Sequence, residues 1–199
     1  GQPTHELITE TTDRDAVFVR CDVTDRSDVR EAVNAADAFG GIDVLVNNAG
    51  ILKMGHITDL SVDEYDAVMD VNAKGVFLGC KAAAEKMLEG KGGSIVNISS
   101  TAGIVGGAEN SLYCASKGAV RLLTYALAAE LGPSIRVNAI HPGTTETQMV
   151  TEDIEIIGTE KGEKQQEDIP LQRFGMPEDI ANAAVYLSSD LADYVTGES

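Results

Sequence analysis

The stretch Ile42-Asp43-Val44-Leu45-Val46-Asn47-Asn48-Ala49-Gly50 changes character halfway along. Ile42 to Val46 is mostly apolar, which suits a strand buried on both faces of a parallel sheet. The four residues after it are small or polar, so the strand ends in a loop. Upstream, Ala16 to Val23 is a second valine-rich run that reads as a strand. Thr24-Asp25 is a helix-start signal, and Val29, Ala32, Val33, Ala36 and Phe39 follow at helical spacing until Gly40-Gly41 stops the helix. Downstream, Ser61 and Glu64 form a capping box for a helix that runs toward Leu88, with Gly75 inside it at a close helix contact. Ser94 to Ser99 and Ile135 to Ile140 read as strands, with a long helix from Leu112 to Leu131 between them. Pro177, followed by Glu178 and Asp179, opens a last helix to about Ser188. The alternation predicts one α/β domain over residues 1–199, a doubly wound parallel sheet covered on both faces.

Ligands of such sheets bind outside the carboxyl ends of the strands. The polar groups that packing leaves unexplained fall there: Asp22, Asn48, Ser100 and Pro142-Gly143 each close a strand. Tyr113 and Lys117 open the long helix four residues apart, so both side chains can reach one cleft. A free tyrosine titrates near ~10 and a free lysine near ~10.4. A cation beside a phenol favours the phenolate and lowers its pKa, which makes the tyrosine a proton donor and acceptor near neutrality. Plainer readings exist for each. A Tyr–Lys pair at this spacing occurs by chance, Ser100 fits a strand-end turn, and Asn72 fits a buried helix asparagine bonded to backbone.

Taken together and in order, Asn47-Asn48-Ala49-Gly50, Asn72, Ser99-Ser100, Tyr113-Cys114-Ala115-Ser116-Lys117 and Pro142-Gly143 resemble the motifs of the classical short-chain dehydrogenase/reductase family. The resemblance covers nearly the whole chain. It implies a Rossmann-like fold, NAD or NADP as cofactor, and hydride transfer between the nicotinamide and a small alcohol or carbonyl substrate. Tyr113 would protonate the carbonyl oxygen, Lys117 would keep the phenol acidic and hold the nicotinamide ribose, and Ser100 would hydrogen-bond the oxygen. Ser100 is preferred to Ser99 because it lies at the family's usual separation before Tyr113. Asn72 would anchor a water linking Lys117 to solvent. Asp22 and Val23 resemble the family's adenine contact, Asn48, Ala49 and Gly50 its ribose-side loop, and Thr145 and Thr147 after Pro142-Gly143 its carboxamide contact. A homotetramer built on the helices Ser61–Leu88 and Leu112–Leu131 is also implied, with internal packing of their small residues as the alternative. The extended relatives that epimerise or dehydrate nucleotide sugars share the Tyr–Lys pair, but Asn47-Asn48-Ala49-Gly50 and Pro142-Gly143 favour the classical branch. A non-catalytic dinucleotide-binding or scaffold protein is the reading from another class.

The sequence departs from the family pattern at its ends. The family opens on a strand and a Gly-rich turn that binds pyrophosphate, and nothing of that kind precedes Asp22. Gly103, Gly106 and Gly107 follow Ser100 instead and read as turn residues. Tyr194 to Glu198 resembles the lead-in to the family's last strand, which the chain does not reach. The expectation is an internal fragment of a longer enzyme, inactive by itself. The residue that normally separates NAD from NADP falls before Gly1.

Composition narrows the class further. With 32 acidic against 15 basic residues, the formal net charge is -17 and the pI about 4.4, which argues against nucleic acid as a partner. Such a balance reads as a strongly solvated acidic surface and, more sharply, as adaptation to high salt. Cys21, Cys80 and Cys114 lie far apart without metal-ligand spacing, so no metal or disulfide is expected. No apolar run is long enough for a membrane span and no leader is evident, so a cytoplasmic protein is expected. His141, beside Pro142, is not needed as a base when Tyr113 fills that role. The polar stretch 144–171 reads as a mobile substrate lid, with a plain surface insertion as the alternative.

Overall fold

The computed structural model describes residues 2–154 and 156–199. Three parallel strands, β1 (Val44–Asn47), β2 (Gly93–Ile98) and β3 (Ile135–Ile140), lie in the order β1-β2-β3. Asn47 stands beside Asn97, and Asn97 beside Ala139, so the three carboxyl ends are level at one edge. The helices are α1 (Thr4–Thr11), α2 (Arg26–Ala35), α3 (Val62–Met69), α4 (Gly75–Glu89), α5 (Ser111–Leu131), α6 (Glu160–Asp168) and α7 (Pro177–Ser188). Helices cover both faces, as expected. On one, Cys80, Ala83 and Met87 of α4 and Val120 and Ala128 of α5 bury Ile95, Ile135 and Val137. On the other, α7 is tied down by its carbonyl at Leu187, which accepts from Ser94 Oγ at 3.1 Å and Arg136 Nη1 at 2.8 Å.

The local signals act as read. The Asp25 carboxylate caps α2 by accepting from the amides of Ser27 and Asp28, and Ser61 and Glu64 form the reciprocal box on α3. Pro177 sits in the first turn of α7. The long helix expected from Ser61 is interrupted by one wide π turn at Asp70–Lys74, which places Asn72. Gly75 is tightly packed, but against the loop before α2: a Cβ there would lie 3.0 Å from Val23 Cγ2.

Other expectations are corrected. Ala16 to Val23 is not a strand. Its apolar side chains suit a sheet, but a strand exists only through a ladder, and no described strand pairs with it. Val17 and Phe18 remain exposed. The second run starts at Val44 instead of Ile42 and is not buried on both faces: Val44 and Val46 are 40% and 43% exposed. β1 is an edge strand, and α7, which covers β2 and β3, does not reach it. At the opposite side the carboxyl-terminal residues already run along β3, with Gly197 N–H donating to Val137 O at 2.8 Å and Ala139 N–H to Glu198 O at 2.9 Å.

The stretch 144–171 is more structured than its polarity suggests. A π turn at Met149–Ile154 and α6 fold over a small core of Val150, Ile156 and Phe174. Val150, Ile154 and Ile157 of this core fall at helical spacing, but over too short a run to stand out from the Glu- and Lys-rich residues that follow. No helix among the described residues is long and apolar enough to cross a membrane.

Candidate active site

The first turns of α5 bring Tyr113, Ser116 and Lys117 to the carboxyl edge of the sheet. Lys117 is 3% exposed. Its Nζ donates to Ile98 O at 2.8 Å and lies 5.5 Å from the centre of the Tyr113 ring. Burial disfavours the ammonium and brings its pKa down to about 8. The Tyr113 phenol is pushed up, chiefly by burial, with the Ser100 hydroxyl pulling it down. This corrects the expected electrostatics: the counterweight to burial at Tyr113 is the hydroxyl of Ser100, not the charge of Lys117.

The two neighbouring serines divide the work. Ser99 is buried and donates its hydroxyl to Lys117 O at 2.9 Å, so it fastens the end of β2 to α5. Ser100 is half-buried and extended, and its hydroxyl, accepting from Ala102 N–H at 3.1 Å, faces Tyr113. Behind them the turn Thr101–Gly103 lies so close to α5 that a Cβ on Gly103 would sit 2.7 Å from Lys117 O. Glycine is required there by the close approach.

Asn72 is fully buried, and both the oxygen and the nitrogen of its amide are hydrogen-bonded. It accepts from Ile51 N–H at 2.8 Å and donates to Ile51 O at 2.9 Å and Ser116 Oγ at 3.0 Å. It therefore pins the loop after β1 to α5, and the buried backbone-bonded reading describes its side chain. Gly50 lies in that loop against both partners, with Lys117 Nζ 3.5 Å from where a Cβ would be.

A polar row that runs from half-buried Asn47 to buried Asn97 and Thr124 has no counterpart in the sequence reading. Asn47 Nδ2 donates to Asn97 Oδ1 at 2.9 Å, and Asn97 Nδ2 donates to Thr124 Oγ1 at 2.9 Å. Cys80 Sγ sits beside both asparagines, its pKa raised to about 12 by burial, which makes it an inert packing group. The in-register Asn47 and Asn97 inside apolar strands were the legible signal.

The expected cofactor residues form a line along the same edge. Val23, Asn48 and Ala49 line one cleft of about 220 Å³ with Cys21, Val71 and Gly75. The Asp22 carboxylate accepts from Thr24 N–H at 2.9 Å and Thr24 Oγ1 at 2.8 Å, which lowers its pKa and fixes the loop that carries Val23. Pro142 O accepts from Thr101 N–H at 3.0 Å, and Gly143 is exposed with open space over its Cα. Thr145 is buried and bridges to Gly175, whereas Thr147 is exposed and starts the following π turn. This apolar cleft, bare loop backbone and buried cation fit a nicotinamide dinucleotide laid along the edge. Two buried polar atoms here have no hydrogen-bond partner among the described residues, Asn110 Oδ1 and His141 Nε2. No group of metal-ligating side chains occurs among the described residues.

Comparisons with known proteins identify the family. Residues 2–199 match the family described as enoyl-(acyl carrier protein) reductase. The chain is 46% identical to a 3-alpha-(or 20-beta)-hydroxysteroid dehydrogenase of Mycobacterium bovis over 92% of its own length and 67% of that protein's. It is 40% identical to a 2,5-dichloro-2,5-cyclohexadiene-1,4-diol dehydrogenase of Sphingobium indicum, over 92% of this chain and 72% of the relative. Among solved structures, gluconate 5-dehydrogenase of Burkholderia cenocepacia in complex with NADP and tartrate superposes with a TM-score of 0.86 at 31% identity, over 97% of this chain and 75% of that one. The chain thus belongs to the classical short-chain dehydrogenase/reductase family, whose members are NAD- or NADP-dependent oxidoreductases acting on CH–OH groups.

Proposed function

We propose that Tyr113 is the acid/base of this oxidoreductase, assisted by Ser100 and Lys117. The observation that carries the assignment is the Ser100 hydroxyl set against the Tyr113 phenol, with the buried Lys117 amine 5.5 Å from the centre of the same ring. A bound nicotinamide supplies or takes up the hydride. In reduction, Tyr113 gives its proton to the carbonyl oxygen, and in oxidation the phenolate takes it back. Ser100 donates its one hydroxyl proton to the same oxygen, where negative charge develops, a donor that the phenol holds until substrate arrives. Lys117 holds the nicotinamide ribose and keeps positive charge in the pocket. Asn72 fixes the Gly50–Ile51 loop and, through Ser116, the turn of α5 between the two catalytic side chains, beside the water path from Lys117. Asp22 and Val23 meet the adenine end, Asn48, Ala49 and Gly50 the ribose, and Pro142, Gly143, Thr145 and Thr147 the carboxamide.

The substrate assigned here is an uncharged ring alcohol or its ketone. Ile104 and Val105, just past the Ser100 turn, are 50% and 68% exposed, and Met54 and Ile57, after Gly50, are 47% and 63% exposed. The two loops are joined by Gly55 N–H donating to Glu109 O at 2.8 Å, so the apolar side chains share one rim. The ring-alcohol dehydrogenases among the relatives support the same choice. Initial rates of the full-length enzyme with NAD and NADP against matched panels of ring alcohols and sugar acids test it. A preference for the sugar acids would refute the substrate class, and no oxidation of any alcohol would refute the reaction.

The segment 144–171 is proposed to close over this rim, and trypsin protection on adding cofactor and substrate tests that. A homotetramer through α4 and α5 is supported by the small residues left wholly or partly open along them, Ala82, Ala126 and Ala129, whereas Ala83, Ala84 and Ala128 pack internally, and a monomer mass by light scattering would reject it. The -17 charge supports a cytoplasm of high salt content as the working environment. A melting temperature that does not rise with molar KCl would sink that reading.

A further inference from the structure

We infer that His141 is a positioning residue that sets the placement of Ser100, an inference resting on the role assigned to Ser100 above. Three contacts join the end of β3 to the segment that carries this serine. Ser99 N–H donates to Ile140 O at 2.8 Å, Thr101 N–H donates to Pro142 O at 3.0 Å, and between them His141 Nδ1 lies 2.8 Å from Ser100 O. A carbonyl oxygen only accepts, so Nδ1 carries the proton in this contact. The same carbonyl accepts from Gly103 N–H at 2.9 Å. Both its lone pairs are therefore used, and the peptide after Ser100 is held from two directions.

The second direction matters because of where the first leads. Gly103 is pressed against Lys117 O, and Ser99 Oγ donates to that same carbonyl. The turn is thereby located against α5, two backbone contacts tie its flanks to the end of β3, and the imidazole adds the tie on the Ser100 peptide itself. Ser100 O thus needs a donor at the Nδ1 position, which asparagine reproduces and leucine does not.

The test compares His141→Leu, His141→Asn and His141→Gln with Ser100→Ala in the full-length enzyme, reading kcat, KM, cofactor Kd and melting temperature. Leucine should lower kcat by about tenfold, within the range that small misplacements at a reacting centre produce. Cofactor Kd should stay within about twofold, because Pro142 O remains held by Thr101 N–H and the ribose and adenine residues lie elsewhere. Asparagine should return kcat to within about threefold of the parent, whereas glutamine, whose amide lies one carbon further out, should not. An unchanged kcat in the leucine variant, or an equal fall in the leucine and asparagine variants, overturns the inference. Should leucine prevent folding, the asparagine–glutamine pair decides, and equal activity in those two also overturns it. If Ser100→Ala keeps full activity, the role of Ser100 itself is refuted. A collapse there with no effect of His141→Leu refutes only this step.

Discussion

The two ends of the ligand-binding edge are built differently. At the β2–β3 end, Ser99, Asn72, Ser116 and Lys117 are buried and hydrogen-bonded to α5, to strand carbonyls or to the loop after β1. At the β1 end, Asp22, Asn48 and Ala49 are exposed, Val44 and Val46 are open on one face, and the run Ala16–Val23 has no ladder. The groups proposed for proton transfer thus stand in a frame supplied by the described residues, while the proposed adenine side is held by turns, caps and the packing of Val23 on Gly75. Chemistry and cofactor affinity should accordingly respond to different substitutions, and the frame should tolerate least where the polar groups are buried.

The largest effect expected is from Lys117→Ala, which should lower turnover and weaken cofactor binding together, since one amine serves both. Steady-state kinetics with a cofactor titration check this, and a change in substrate affinity alone would contradict it. Next comes the serine pair. Ser100→Ala should reduce kcat by about 10²-fold, the scale for losing one donor to a developing oxyanion. Ser99→Ala should instead lower stability by about 1 kcal/mol, the worth of one buried hydrogen bond, with a much smaller change in kcat. If both alanines behaved alike, the division between frame and chemistry would fail.

A third test uses pH. Lys117 titrates at about 8 in the folded chain against 10.5 ordinarily, so in that window the unfolded chain binds more protons. Its contribution to stability therefore rises with pH between those values. Urea melts across the window should show this rise relative to Lys117→Met, which lacks it. Identical slopes would mean that the amine is not buried. The smallest effect belongs to the other end. Val46→Thr, on the open face of β1, should shift stability by no more than about 0.5 kcal/mol. Val96→Thr, inside β2, should cost about 1–3 kcal/mol by burying an unpaired hydroxyl. Equal costs would show that β1 is covered in the working protein.

The sequence made most of this legible where the deciding physics is local. The cap at Asp25, the box at Ser61 and Glu64, and the proline opening α7 need only neighbours along the chain, and each was readable. The level of Asn48, Ser100 and Pro142 followed from strand ends that share one sheet edge. Ala16–Val23 misled because a strand is made by its partner, which its own residues do not encode. Tyr113 misled on acidity for a related reason. Spacing placed Lys117 on the same face, but only the packed helix shows its amine turned to Ile98 O and the phenol answering to Ser100 instead. His141 was set aside as a base, and its link to Ser100 is a contact across 41 residues that no motif announces.

The central claim is that Tyr113 performs the proton transfer while its surroundings hold it and the cofactor independently. The direct measurement is turnover and cofactor affinity of Tyr113→Phe in the full-length enzyme. At least about 10²-fold loss of kcat is expected, the low end for a positioned acid/base, with the Kd for NADH or NADPH little changed. Near-normal turnover in that variant would contradict the account.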